Sequence, residues 1–428
     1  MPQTYSLIIE SFLEQVKGRS QNLPRLYQIF ENCYKDTLDA AATALEDGSV
    51  YLVTGDIPAM WLRDSAAQMR PYLYCAKEHP EIRQLICGVI KRQFFYIGID
   101  PYANAFNLNP SGACYEKEDL NPDPWLWERK FELDSLCYPI QLSYLLWKNT
   151  GCTAQFDSQF QKGAEIILDL FRREQAHEEN SAYRFIRKNT YPTETLSRQG
   201  KGSLCRSGTG LIWSGFRPSD DACTYGYLIP ANMFAAVALG YLAQIEKEIF
   251  HNPALSQRAL ELKESVENGI ETYGKALTKE FGLIYAYETD GWGMYNLMDD
   301  AGIPGLLSME YFGYCKDPET AENTKRFVLS EGNPYYYKGK KADGIGSPHT
   351  RFGYVWPLAM AVRGLIAAAK EEKLEALEQI AATTGGKNMI HESLFCDDDS
   401  LYTREWFSWA NAMYAELFLD YLGYELIK

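Results

Sequence analysis

Histidine is scarce in this chain, and no Cys-x-x-Cys pair occurs: the five histidines stand at 79, 177, 251, 349 and 391. A zinc site takes three or four such ligands at short, recognisable spacing, and His391-Glu-Ser-Leu-Phe395 is not the H-E-x-x-H of a zinc hydrolase. His79, His177 and His251 lie near expected helix ends and read as surface or capping residues. Asp397-Asp398-Asp399 lacks the glycine and terminal glutamate of a calcium loop and reads as a solvated acidic turn or rim. No metal and no cofactor is expected. G-x-x-x-x-G-K-[ST] is missing, and Gly200-Lys-Gly-Ser and Gly208-Thr-Gly210 follow no strand, so no phosphate cradle is in place. A G-x-S-x-G nucleophile turn is missing too. Positive charge is short, with Lys and Arg numbering 42 against 57 Asp and Glu, for a net charge of -15. That excess argues against nucleic acid or an anionic membrane as partner and favours a neutral ligand. No apolar run is long enough to span a bilayer, and Met-Pro-Gln-Thr-Tyr-Ser is not a leader with a basic start and an apolar stretch. The ten cysteines are scattered and read as core filler in a reduced, cytoplasmic setting.

What is plentiful is apolar and aromatic material: 46% hydrophobic and 14% aromatic over 428 residues. Helical periodicity dominates. Ile82, Leu85, Ile86, Val89, Ile90, Phe94 and Ile97 recur at helix spacing, and so do the apolar residues of 132–147, 230–245 and 404–422. Further helices are expected near 4–17, 24–45, 157–175, 254–275, 318–329, 354–369 and 374–382. Asn252-Pro253 and Asp317-Pro318 read as an N-cap followed by proline in the first helical position. Strands are few; Tyr51–Val53 and Ile284–Tyr287 are the candidates. Helices of similar length in consecutive pairs, with no linker rich in Pro, Gly or Ser, close most simply into an all-α (α/α)6 barrel, with residues 1–428 as one catalytic domain.

Four polar loops each run into a strongly apolar helix. The first is Thr54-Gly-Asp56-Ile-Pro-Ala-Met-Trp61-Leu-Arg63-Asp64. The second is Trp213-Ser-Gly-Phe-Arg217-Pro-Ser-Asp220-Asp221, the third Asp343 to Tyr354 with His349 and Arg351, and the fourth His391-Glu392 through Arg404-Glu405-Trp406. If the helices they feed form an inner ring, the loops gather at one end, where free N–H groups and the helix dipole favour carboxylates. Glu288 and Asp290, in an acid-aromatic stretch that ends at Trp292 and Tyr295, are a fifth contributor. An aromatic plate beside an Arg–Asp pair suits a sugar: the ring stacks on its apolar face and the charges bind its hydroxyls. Trp61, Arg63 and Asp64 fit that part, with Asp221, Glu288, Asp290, His349, Arg351 and Arg404 as further substrate-binding candidates. Trp406 sits at helix spacing with Phe407 and reads as core, while Trp125 and Trp127 lie in a Pro-rich loop that could form a rim subsite.

Two acids have the character of a catalytic pair. Adjacent Asp220 and Asp221 repel each other in a closed pocket, which raises one pKa and makes a proton donor. Glu392 can hold and deprotonate a water. Glycoside hydrolysis needs such a pair.

Taken jointly, Asp56-Ile-Pro-Ala-Met-Trp-Leu-Arg-Asp-Ser65, Arg217-Pro-Ser-Asp-Asp221, Ser347-Pro-His-Thr-Arg351 and His391-Glu-Ser393 resemble glycoside hydrolase family 125 along nearly the whole chain. The resemblance implies a metal-independent exo-α-1,6-mannosidase on an (α/α)6 barrel, acting with inversion on an α-mannoside oligosaccharide such as an N-glycan or mannan fragment. It implies Asp220 as general acid, with Asp221 as the second choice, and Glu392 as general base. Inversion leaves about 6.5–9.5 Å between the two carboxyls for a water. The alternatives are a glucoside-acting toroid enzyme and a sugar-binding protein without catalysis.

Overall fold

The computed structural model describes residues 3–117, 119, 122–188 and 190–427. Its frame is six antiparallel helix pairs in two concentric rings. The outer helices are Pro24–Asp36, Pro80–Ile99, Ser158–Glu174, Pro253–Tyr273, Pro318–Val328 and Lys370–Ala382. Each is followed along the chain by an inner partner: Leu62–Met69 with Tyr72–Ala76, Leu133–Thr150, Ile229–Glu248, the short turn Leu307–Met309, Pro357–Leu365 and Ser408–Tyr421. Each inner element packs against the next, and the last packs back on the first, so the ring is closed. The all-α barrel expected from helix pairing is therefore the observed fold. One continuous apolar core reaches from Ile9 to Leu419.

Residue chemistry explains which helices go inside. Every residue of Leu62–Met69 is buried, as are Ser408 to Leu419, whereas Ser158–Glu174 buries only one stripe. A helix apolar on all sides must be surrounded, and an amphipathic one must face water. Helix starts carry local signals. Proline occupies the first turn of Pro24–Asp36, Pro80–Ile99, Pro253–Tyr273, Pro318–Val328 and Pro357–Leu365. The side chains of Asp157, Asn252 and Asp317 accept from backbone N–H groups of the turns that follow them.

Several segments depart from the periodicity. The helix expected over 24–45 ends at Asp36, widens into a π-turn over Thr37–Ala41 and becomes the strand Ala42–Ala44. The Tyr72 hydroxyl donates to the Tyr34 carbonyl, an intrusion into the helical ladder just ahead of the widening. The last helix starts at Ser408, not 404, because the Asp36 carboxylate collects Trp406 Nε1, Ser408 Oγ and Asn411 Nδ2 at 2.7–3.1 Å. Trp406 is thus a half-buried loop residue rather than core. Strands are more numerous than expected, fifteen of them in six small sheets among the described residues, and most are hairpins within the inter-helix loops. His177 is fully buried instead of exposed, stacked on Trp213 and bonded to Glu174 at 2.6 Å. Among the cysteines, Cys315 is exposed, and Cys87 and Cys152 are half-buried with their sulfurs 3.7 Å apart, so core filling describes only six of the ten. No helix among the described residues is long and apolar enough to cross a membrane.

A polar node ties the inner ring together. Arg70 donates through Nε and Nη2 to Glu416 at 3.0 and 2.8 Å and through Nη1 to Gln141 at 3.1 Å, and the Tyr311 hydroxyl donates to Glu416 at 2.7 Å. Replacing Arg70 with methionine removes the cation from a buried carboxylate. The expected loss is about 3–5 kcal/mol of unfolding free energy, measurable by urea denaturation, and an R70M protein as stable as its parent would contradict this reading.

Candidate active site

The inner helices present their N-terminal ends to one side of the barrel, and the residues that open those helices line a pocket there. Trp61, Trp356 and Phe407 are the N-cap positions of Leu62–Met69, Pro357–Leu365 and Ser408–Tyr421. With Thr54, Ile57, Arg63, Asp64, Pro218, Ser219, Asp220, His349, Glu392, Arg404 and Trp409 they enclose about 370 Å³ not filled by atoms.

Two loops from opposite ends of the sequence meet to build one wall. Gly55 has φ +137°, and a Cβ there would stand 2.5 Å from the Trp406 carbonyl oxygen, so only glycine allows this approach. Asp56 then accepts from Arg404 Nε and Nη2 at 2.8 and 2.6 Å. Glu392 and Arg404 are side by side because they flank the hairpin formed by Ser393–Phe395 and Asp398–Thr403. Arg404 Nη1 lies 3.5 Å from Glu392 Oε1. The hairpin holds the acidic run 397–399, which is part of a strand and its turn rather than a free rim.

The floor is a buried cluster of charge around Arg63. Its Nη1 is 2.6 Å from Glu132 and 3.4 Å from Asp134, its Nε is 3.4 Å from Asp64, and the guanidinium lies 5.1 Å from the Trp409 ring centroid. Asp64 also accepts from the Thr54 hydroxyl. Burial pushes the Asp64 carboxyl up against the pull of Arg63 and Thr54, and pushes Asp134 up to about 6. Five buried polar atoms here make no hydrogen bond among the described residues: Arg63 Nε and Asp64 Oδ2, which face each other at 3.4 Å as an ion pair, and Asp134 Oδ1, Asp220 Oδ1 and Asp221 Oδ2. Buried polar atoms are nearly always paired, so such a concentration marks a place where a polar ligand binds.

Asp220 and Asp221, adjacent in sequence, meet different partners. Asp220 has φ +71°. Asp221 Oδ1 meets His349 Nδ1 at 3.0 Å. Asp220 approaches Glu132, while its carbonyl accepts from Lys130 Nζ at 2.9 Å. Burial favours a protonated Asp220, but the charges of Lys130, Arg63 and His349 and a hydrogen bond with Glu132 outweigh it and hold the group below the usual aspartate range. Glu132 is the member pushed well above its ordinary value, by burial first, with Asp220 and Asp134 adding to it against Arg63. The raised acid beside Asp220 is thus Glu132.

Four of the expected binding residues do not line the pocket: Asp221, which backs it through His349, and Glu288, Asp290 and Arg351. Glu288 is fully buried and anchors the Asp220 loop from behind, accepting from Arg217 Nε at 2.7 Å and from the Thr224 and Tyr225 amides. Asp290 closes its own turn by accepting from the Trp292 and Met294 amides. Arg351 is exposed and outside the pocket lining. Trp292 is exposed, while Trp127 packs against the Trp61 cluster. Sequence reasoning missed Lys130, Glu132 and Asp134. Their signal was present: the charged segment Glu128-Arg-Lys-Phe-Glu-Leu-Asp134 runs into the apolar helix Leu133–Thr150, the same pattern as the other loops.

A closed ring of helix pairs with a carboxylate-lined pocket at the inner N-termini defines an α/α-toroid glycosidase. The chain belongs to glycoside hydrolase family 125, the metal-independent α-mannosidases, whose pattern matches residues 23–419. A Streptococcus pneumoniae structure of that family, in a non-productive complex with α-1,6-mannobiose, is 46% identical, covers 97% of this chain and 98% of its own, and superposes with a TM-score of 0.95. The meiotically up-regulated gene 157 protein of Schizosaccharomyces pombe is 36% identical over 440 residues, 98% of this chain and 86% of that protein. A wild-type glycosidase at 13% identity shares the fold, with a TM-score of 0.56 over 95% of this chain and 99% of its own. Glu194, Asp221 and His349 come within 4.8 Å of one another, as metal ligands do, but Lys130 and Arg187 already bind Glu194 at 2.9 and 2.8 Å.

His349 supplies a pH test. Burial alone would lower its pKa, but the hydrogen bond and charge of Asp221, with Asp220 and Glu392 beyond, raise it to about 9. A folded value above the unfolded value of about 6.5 means that the pair's contribution to stability is full below about pH 6.5 and is lost as pH rises through about 9. The His349 ring protons should titrate near pH 9 by NMR, and in D221N they should return toward the ordinary histidine value.

Proposed function

We propose that the protein is an exo-acting α-1,6-mannosidase that removes terminal mannose from N-glycan or mannan fragments with inversion. The observation that carries the reading is the pocket itself: Asp220 and Glu392 reach it from separate loops, amid unpartnered polar atoms and aromatic rings. The 46% identical relative bound to α-1,6-mannobiose supports the linkage.

In this mechanism Trp61, Trp356 and Trp409 shape the apolar walls, and Arg63, Asp64, His349 and Arg404 meet the sugar hydroxyls. Asp220 gives its proton to the glycosidic oxygen as the C1–O bond breaks. Glu392, oriented by Arg404, takes a proton from the water that attacks C1 on the opposite face. Asp221, bonded to His349, is a positioning residue and not the acid.

α-1,6-Mannobiose followed by NMR tests sugar, linkage and stereochemistry together. β-Mannose should appear first and mutarotate to the equilibrium mixture; α-mannose first would mean retention. D220N and E392Q should each reduce turnover of mannobiose at least 100-fold with melting temperatures near that of the parent. Cleavage of glucosides in preference to mannosides, or binding of mannobiose without hydrolysis, would establish the alternative toroid enzyme or the binding protein in its place.

A further inference from the structure

Asp220 presents a difficulty as a proton donor. Lys130, Arg63 and His349 surround it with positive charge and favour its anion. A general acid must hold a proton at the moment of bond cleavage. The structure offers another place to keep it.

Glu132 is the N-cap of Leu133–Thr150 and fully buried. Its Oε2 accepts from Arg63 Nη1 at 2.6 Å and from Ser135 Oγ at 2.8 Å. Its Oε1 has only a long contact, 3.4 Å, with Asn104 Nδ2. The Glu132 and Asp220 carboxyls lie within hydrogen-bonding reach of each other. As two carboxylates they have no donor to share, and Asp220 Oδ1 is buried without a partner. One proton between them turns that approach into a hydrogen bond, and like charges this close disfavour losing it.

We propose that Glu132 is the proton-holding partner of Asp220, so that the two carboxyls work as a single acid: Glu132 stores the proton and passes it to Asp220, which delivers it to the leaving oxygen. This rests on Asp220 being the general acid. The step balances. The O–H bond of Glu132 breaks as that of Asp220 forms. The O–H bond of Asp220 then breaks as the glycosidic oxygen takes the proton and the electron pair of its bond to C1. Glu392 receives the proton of the attacking water, and solvent returns a proton to the pair after the products leave. Arg63, 2.6 Å from Glu132, stabilises the carboxylate left behind. Glu132 acts through Asp220 and is a positioning residue.

The test compares E132Q, S135A and D220N across pH on two substrates: α-1,6-mannobiose, whose leaving group needs a proton, and 2,4-dinitrophenyl α-mannoside, whose leaving group does not. In E132Q the alkaline limb of kcat/KM on mannobiose should move down by about one pH unit or more, with about tenfold lower kcat at pH 7 and dinitrophenyl mannoside turnover nearly unchanged. S135A removes a donor to the ionised Glu132, so its alkaline limb should move up, by about half a unit. The opposite signs distinguish a shared proton from general damage, and S135A keeps the test alive if E132Q does not fold. An alkaline limb unmoved in both variants overturns the proposal. So does an equal loss on both substrates in E132Q with a raised KM, which would make Glu132 only a brace for Arg63. D220N checks the foundation separately: it should lose mannobiose turnover and keep the dinitrophenyl substrate. Normal mannobiose turnover in D220N would remove Asp220 as the acid whatever E132Q does.

Discussion

Everything at the pocket depends on one buried cation. Arg63 is 3% exposed and lies against Asp64, Glu132 and Asp134, with Asp220 near enough to feel its charge. Without it, four carboxyls from three segments could not be packed at the end of an acidic barrel, because burial and mutual repulsion would protonate them or push them apart. With it, the acids are graded: Asp220 is held below its ordinary range, while Glu132, Asp134 and Asp64 are raised by burial. Arginine suits the task because its planar fork serves several acceptors at once and does not lose its own proton.

The barrel makes this concentration of acids possible. Inner helices buried on all sides force their polar residues to the ends. The N-terminal end is where unpaired amides and the helix dipole offset negative charge. The two catalytic candidates are held in unlike ways. Asp220 sits on a left-handed turn fastened by Lys130 in front and by the Arg217–Glu288 pair behind. Glu392 sits at the foot of a hairpin, with Arg404 as its neighbour across the strands.

Helix pairing, proline starts and the convergence of loops were readable from periodicity and end signals, since both reflect local chemistry. Asp220, Glu392, Trp61, Arg63, Asp64, His349 and Arg404 all come to one pocket, as the loop pattern suggested. What was not readable is direction. Nothing in the order of residues 285–296 says that Glu288 turns inward to Arg217 while Asp290 closes a turn. Adjacency made Asp220 and Asp221 look like a pair, but a single positive φ separated them and gave Asp220 a partner from 88 positions earlier (220 − 132). Glu132 went unnoticed although its charged segment feeds an apolar helix as the other loops do, because nothing in that segment says which of its acids turns inward. Only the closed ring brings it beneath Asp220.

The contact between Gly55 and the Trp406–Phe407 backbone has a consequence for how the enzyme is made. A ribosome finishes the first inner helix while more than three hundred residues still separate Asp64 from the loop that completes the wall, and the cluster around Arg63 waits for Glu132, Asp134 and Asp220. Glu392 and Arg404 emerge among the last, and the seam at Gly55 closes only once they have. A chain interrupted before that point holds Trp61, Arg63, Asp64, Asp220 and His349 but lacks Glu392 and Arg404. With Glu392 as the proposed base, the order of synthesis keeps hydrolysis off until the circle is shut.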